Sequence, residues 1–309
     1  MKAAIIDLGT NTFNILIIEI DKGKEFETLL NTKSAVMLGS EGLLTGYISD
    51  KAFTRAYAII RDFSNLISEF KCEKVVAFGT SAIRDAHNSD AFINKIARDF
   101  NIQISPITGL QEAQYIYRGV LRAVPFTDEN YLILDIGGGS NEFIIANQKE
   151  LHWKNSYPLG GARLIEMFNP NDPITSVEIE KLFAYFDSKL DSLFEAIEKY
   201  PVTKLVGSSG AFDSFADMIY QKKHKIPLPP TSKHSEFSIE DFMEIYKQVT
   251  SLSRNQRLLI PGLEALRVDT IVMSSIFTRY VIERTGVGGI IQSDYSLKEG
   301  VAAQIENSL

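Results

Sequence analysis

Two stretches of the sequence hold residues whose types and spacing suit phosphate chemistry. Over residues 131–145 an apolar run ends in Asp135, Gly137, Gly138 and Gly139 turn the chain, Ser140 adds a hydroxyl, and a second apolar run leads away. Adjacent residues without side chains let backbone N–H groups converge on an anion, and a carboxylate at the mouth suits a hard divalent cation. A plain β-hairpin with a glycine-rich turn has the same local pattern, so this loop alone leaves both readings open. The start of the chain follows the same plan: an apolar run, then Asp7, Gly9, Thr10, Asn11 and Thr12, then a second apolar run over 15–18. Asp7 matches Asp135, Gly9 matches Gly137 and Thr12 matches Ser140. A repeated unit of this kind predicts two similar domains facing each other, each presenting one aspartate and one loop to a shared cleft. Two facing loops suit a chain of phosphates.

A third junction of strand and helix, Gly207, Ser208 and Ser209, is also friendly to anions. Arg84 follows a strand-to-loop junction and has the forked guanidinium that grips phosphate, though a surface salt bridge would use the same residue type. Asp7 and Asp135 read as oxygen ligands for Mg²⁺ or as turn-forming aspartates at strand ends. Glu142, on the strand leaving the second loop, reads either as a residue orienting metal-bound water or as a partner for the loop backbone. Lys298 and Arg267 are weaker candidates, since long cations are commonly solvated. His87, His152, His224 and His234 show no ligand spacing.

The elements that must position these residues follow from hydrophobic periodicity. Apolar runs predict strands at 2–6, 13–20, 26–37, 74–78, 101–105, 131–136, 141–146, 151–157, 203–206 and 289–292. Helices are expected at about 50–70 and 89–100, and from Thr108, which has capping-box spacing to Gln111. A second capping box, Thr175 to Glu178, opens one long helix with Ile179, Leu182, Phe186, Leu190 and Ile197 inward. Further helices follow from Ala211, at 239–250, at 253–259, at 268–284 and from about 296. Residues 79–85 read as a loop, and 222–235, with three prolines and four lysines, as a surface loop. The expected class is α/β with mixed sheets, in two domains, 1–124 and 125–309, with the helix of about 296–309 packing back on the first.

The chain has 309 residues, 45% of them hydrophobic, enough for two cores. Its net charge of −7 argues against a general DNA binder, which needs a basic excess. A single cysteine, Cys72, argues for a reducing compartment. With no leader pattern and no apolar run of membrane-spanning length, the expected location is the cytoplasm. A homodimer is one assembly open to it.

Taken together, Asp7-Leu-Gly-Thr-Asn-Thr-Phe, Gly79-Thr-Ser-Ala-Ile-Arg-Asp, Thr108-Gly-Leu-Gln-Glu112-Ala and Asp135-Ile-Gly-Gly-Gly-Ser-Asn-Glu142 resemble the exopolyphosphatase and guanosine pentaphosphate phosphohydrolase family. Gly207-Ser-Ser-Gly and Leu259-Ile-Pro-Gly also fit. The resemblance implies two actin-like, ribonuclease H-like domains with a cleft between them. It also implies attack of water on a terminal phosphoanhydride, with Mg²⁺ as cofactor and Mn²⁺ as a substitute. The substrates it implies are inorganic polyphosphate or guanosine pentaphosphate and tetraphosphate, and it places Glu112 at the cleft as the residue that activates water. A carboxylate favoured by the helix dipole would occupy the same position without that role. The sequence departs from the family pattern at Gln111, Asn141 and Lys298, where the family often has Glu, Thr and Arg. A nucleotide sensor without turnover and a sugar-kinase-like phosphotransferase are the competing functions.

Overall fold

The computed structural model describes residues 1–40, 42–229 and 233–308. Its first half contains strands β1 (Lys2–Leu8), β2 (Thr12–Glu19), β3 (Glu27–Ala35), β4 (Lys74–Gly79) and β5 (Ile104–Pro106). The helices between them are α1 (Asp50–Phe70), α2 (Ser81–Arg84), α3 (Ser89–Phe100) and α4 (Gly109–Val120). The second half contains β6 (Tyr131–Ile136), β7 (Asn141–Ala146), β8 (Leu151–Tyr157), β9 (Lys204–Ser208), β10 (His234–Phe237) and β11 (Ile290–Ser293). Its helices are α5 (Gly161–Phe168), α6 (Ser176–Asp187), α7 (Asp191–Lys199), α8 (Gly210–His224), α9 (Ile239–Ser251), α10 (Arg254–Arg257), α11 (Ile271–Thr285) and α12 (Leu297–Glu306).

The two sheets share one topology. The first runs β3-β2-β1-β4-β5 and the second β8-β7-β6-β9-β11-β10. In both, a three-stranded antiparallel meander is extended by parallel strands reached through helical crossovers. β10 adds an antiparallel edge to the second sheet alone. This doubling is the actin-like, ribonuclease H-like arrangement. The central strands β1 and β6 read as continuous apolar runs because helices cover both of their faces.

α4 and α12 lie between the sheets. Ile5, Leu16 and Ile18 of the first sheet and Ile133, Ile144 and Val206 of the second join one core with Ile116 and Val120 of α4 and Val301 and Ile305 of α12. The two helices cross so tightly that a Cβ on Gly119 would overlap the Ser296 carbonyl, and one on Gly300 the Tyr115 carbonyl. The outer face of the first sheet is covered by α1 and α3 through Ala56, Ile60, Phe63, Phe92 and Ile96. In the second half an aromatic cluster fills the core, with Phe186 edge-on to Phe277 at 4.9 Å between ring centroids.

Several expectations on boundaries change. The single helix expected from 175 onward is two, α6 and α7, although the apolar period continues across the break through the fully buried Phe186, Leu190 and Leu193. At the break the Ser188 hydroxyl bonds the Tyr185 carbonyl at 2.7 Å, a local bond that competes with helix continuation. Residues 81–84 form a helical turn rather than a loop, and β5 begins only at Ile104. Within the loop expected at 222–235, α8 extends to His224 and β10 starts at His234, while residues 230–232 lie outside the described residues. No described helix is long and apolar enough to cross a membrane.

Candidate active site

The repeated loops fold alike at the level of single hydrogen bonds. Gly9 N–H donates to the Thr12 carbonyl at 3.1 Å, and Gly137 N–H to the Ser140 carbonyl at 3.0 Å. Directly across the antiparallel pair, Asp7 faces Asn14 and Asp135 faces Glu142. Opposed residues share one face of the sheet, so each aspartate has its neighbour's side chain beside it. Between the loops runs a cleft of about 480 Å³ lined from both halves, by Asp7, Gly9, Thr10, Asn11, Thr12 and Glu112 on one side. On the other side stand Asp135, Gly137, Gly138, Gly139, Ser140 and Ser209, with Arg267 and Lys298. The loops touch: a Cβ on Gly138 would meet Thr10 and Asn11, and one on Gly139 would meet Ser81.

Burial dominates the electrostatics. Asp7 accepts from Asn14 Nδ2 at 3.1 Å, while its Oδ1 is buried without a partner. Desolvation raises its pKa to about 7 despite the nearby Lys298 ammonium. One oxygen of Asp135 takes two hydroxyl hydrogen bonds, from Ser208 and Ser296, each 2.6 Å. Burial still holds its pKa above the ordinary range. Glu142 is 1% exposed, accepts from Ser156 Oγ at 2.6 Å and leaves Oε2 unpartnered. Desolvation and the Asp135 charge push it up to about 7. Glu112, in the first turn of α4, is 8% exposed, and burial followed by the Glu142 charge raises its pKa well above 4.5. Arg84 Nη1 pulls the other way from 3.2 Å.

The helix that carries Glu112 starts where the capping-box spacing predicts. Thr108 accepts from Gln111 N–H at 3.2 Å, and the Gln111 side chain accepts from Thr108 N–H at 2.9 Å. Such a cap contributes about 1 kcal/mol and fixes the first turn, hence the Glu112 side chain.

Four candidates lie elsewhere than expected. Gly207 and Ser208 do not line the cleft: Gly207 abuts Phe212, and the fully buried Ser208 points its hydroxyl at Asp135. The next residue turns the chain, because Ser209 adopts φ 72° and ψ 169° and presents itself and Gly210 to the cleft instead. A conformation of this kind costs about 1–3 kcal/mol in a residue with a side chain. Glu142 is sunk beneath the cleft wall beside Asp135. Arg84 faces a separate cavity, described below.

Among the described residues no three His, Cys, Asp or Glu side chains are grouped to hold a cation alone. The donor set nevertheless fits a small hard cation completed by substrate oxygens, since Asp7 Oδ1 and Glu142 Oε2 are buried carboxylate oxygens without partners. Arg267 stands opposite as a buried cation that feels the Asp213, Glu264 and Asp135 charges; its Nε makes no hydrogen bond to a described residue, and its guanidinium packs on Gly210 at the start of α8.

The model of the Ppx/GppA phosphatase family matches residues 16–309. The chain belongs to the Ppx/GppA phosphatase family. An exopolyphosphatase structure from Cytophaga hutchinsonii is 38% identical with a TM-score of 0.97, covering 100% of this chain and 99% of that one. An Aquifex aeolicus Ppx/GppA family structure is 25% identical with a TM-score of 0.81, covering 100% and 98%. A putative exopolyphosphatase of Haemophilus influenzae is 28% identical over 99% of this chain and 92% of its own length.

At this Ppx/GppA site sequence reasoning singled out neither Ser296, which donates to Asp135, nor Arg163. Arg163 of α5 donates from Nε to the Gly139 carbonyl at 2.8 Å and from Nη2 to Asp85 at 3.1 Å. It thereby ties the second glycine loop to the first half. The signal available was an arginine two residues after the Gly160-Gly161 pair that starts a helix.

Proposed function

We propose that the chain removes the terminal phosphate of inorganic polyphosphate by attack of water, with Mg²⁺ or Mn²⁺ as cofactor. The observation that carries this is the pair of matching loops facing across one cleft with the buried Glu112 carboxylate in its wall. The names of the exopolyphosphatase relatives support the same substrate. Guanosine pentaphosphate ends in the same phosphoanhydride and is a second candidate substrate for the same chemistry. The sensor and kinase readings gain no observation of their own.

In this reading the backbone amides of both loops, Thr10, Thr12, Ser140, Ser209 and Arg267 grip phosphate oxygens. Asp7, Asp135 and Glu142 would hold the divalent cation, which would supply charge neutralisation for the phosphates and the leaving oxygen. Glu112 takes the proton of the attacking water, and burial, by raising its pKa, strengthens its hold on that proton. Ser208 and Ser296 orient Asp135. Phosphate release from polyphosphate and from guanosine pentaphosphate, each with and without Mg²⁺, tests the proposal. Release from polyphosphate only with cation, and its loss in Asp135→Asn with an unchanged melting temperature, is the expected result. Binding without release would favour the sensor.

A further inference from the structure

On the far side of the Arg84–Glu112 pair lies a second cavity of about 300 Å³. It shares Ser81 and Ser140 with the main cleft, and Glu112 lines the cleft while its partner Arg84 lines the cavity, so these serines and the ion pair stand in the wall between the two spaces. Its rim residue Leu110 is 50% exposed, and Pro158 beside it is exposed as well, so the cavity reaches solvent. Arg84 lines this cavity and not the cleft. Its Nε donates to Asp85 at 3.2 Å and its Nη1 to Glu112 and the Ile107 carbonyl at 3.2 Å, while Nη2 donates to no described residue.

Phosphoryl transfer to water needs the attacking and leaving oxygens roughly in line. Water held by Glu112 therefore attacks from the side opposite the rest of the polyphosphate chain. Its oxygen bonds to the terminal phosphorus, the bridging P–O bond breaks with its electron pair kept by the shortened chain, and the proton passes to Glu112. The phosphorus moves toward the water side as it is transferred. The new orthophosphate is then between the shortened chain, which still fills the main cleft, and Arg84.

We propose that the second cavity is the exit for orthophosphate and the entry for water, so that product leaves past Arg84 without the shortened chain letting go. The proposal rests on the hydrolase reading above. Its chemistry is a single small dianion drawn by one guanidinium with a spare N–H donor, with Asp85 weakening that hold enough for release.

Leu110→Trp narrows the rim without touching Glu112 or Arg84, and Leu110→Ala widens it. Acid quench of single turnovers reports cleavage, a phosphate-binding sensor reports release, and gels of the polyphosphate report chain lengths. For the wild type, release should keep pace with cleavage and no ladder of intermediate chains should build up. In Leu110→Trp, cleavage in the first turnover should stay within about twofold while release slows by about tenfold or more, as when product release limits turnover. A ladder should then appear, because phosphate must wait for the chain to dissociate. Retained first-turnover cleavage also shows that the variant folds. Leu110→Ala should behave as the wild type. Equal release rates and no ladder in Leu110→Trp would overturn the exit, as would a ladder in the wild type. Absence of cleavage in the wild-type quench would instead overturn the hydrolase reading itself.

Discussion

Glu112 is the residue on which the chemistry turns. Glu112→Gln keeps shape and removes the basic oxygen, so kcat should fall by roughly 10²- to 10⁴-fold while polyphosphate binding is equal or tighter. Near-full activity in the variant would reduce Glu112 to a helix-terminus carboxylate. The buried acids also make a prediction about pH. In the cation-free fold Asp7 and Glu142 sit at about 7, against ordinary values of 3.8 and 4.5. Between those limits the folded chain binds more protons than the unfolded one, so stability is lost as pH rises through 7. Glu178, held down to about 2 by hydrogen bonds from Thr175 and Asn171, acts in the opposite sense but only at lower pH. Cation-free protein should therefore melt at a higher temperature near pH 5 than near pH 8, with a smaller difference in Glu142→Gln. Thermal melts across that range check it, and a midpoint that climbs toward pH 8 would contradict it. The aspartates and the loop glycines were legible in sequence because their pattern is local and occurs twice. Arg163 was not, since its partners Gly139, Asp85 and Ser81 are distant in sequence. Ser208 and Ser209 are one position apart, and only the backbone turn at Ser209 decides which of them meets the cleft.

At the scale of elements, the contact of α4 with α12 sets where Glu112 stands. Gly119 and Gly300 let each helix rest on the other's backbone. Gly300→Ala should push α12 off α4, costing about 1–3 kcal/mol as overpacking does, and should lower kcat by displacing the Glu112 turn. Chemical denaturation and phosphate release on the same preparation test both effects. A variant with native stability and native turnover would show that the crossing tolerates a methyl group. Helices with a single apolar face, such as α1, were readable to within a residue or two from periodicity. The α6–α7 break and β10 were not, because a short hydrogen-bonded interruption and a four-residue edge strand leave little periodic signal.

For the whole molecule, the cleft is tied across both rims. Lys33 bonds both Glu264 oxygens at 2.8 Å, a solvent-exposed pair of modest value. Arg163 is the stronger tie, since it is mostly buried and branches to Gly139, Ser81 and Asp85. Arg163→Lys keeps the charge but loses the fork. It should raise KM for polyphosphate more than it lowers kcat, and small-angle scattering should show a wider cleft. An unchanged KM would mean that the halves hold together without it. The doubled topology was legible from the two Asp-x-Gly loops, whereas the intimate sharing of α4 and α12 by both sheets depends on packing that no local pattern states.

That sharing sets a timetable for a chain made from its first residue onward. β1 and β2 are complete early, yet the face carrying Ile5, Leu16 and Ile18 is covered by Val301 and Ile305, which come some 280 positions later. At synthesis rates of roughly 5–20 residues per second, that face waits some tens of seconds for its cover. Nascent chains halted before α12 should therefore be greasy, protease-sensitive clients of chaperones, and ribosomes stalled at residue 290 would be the place to find them.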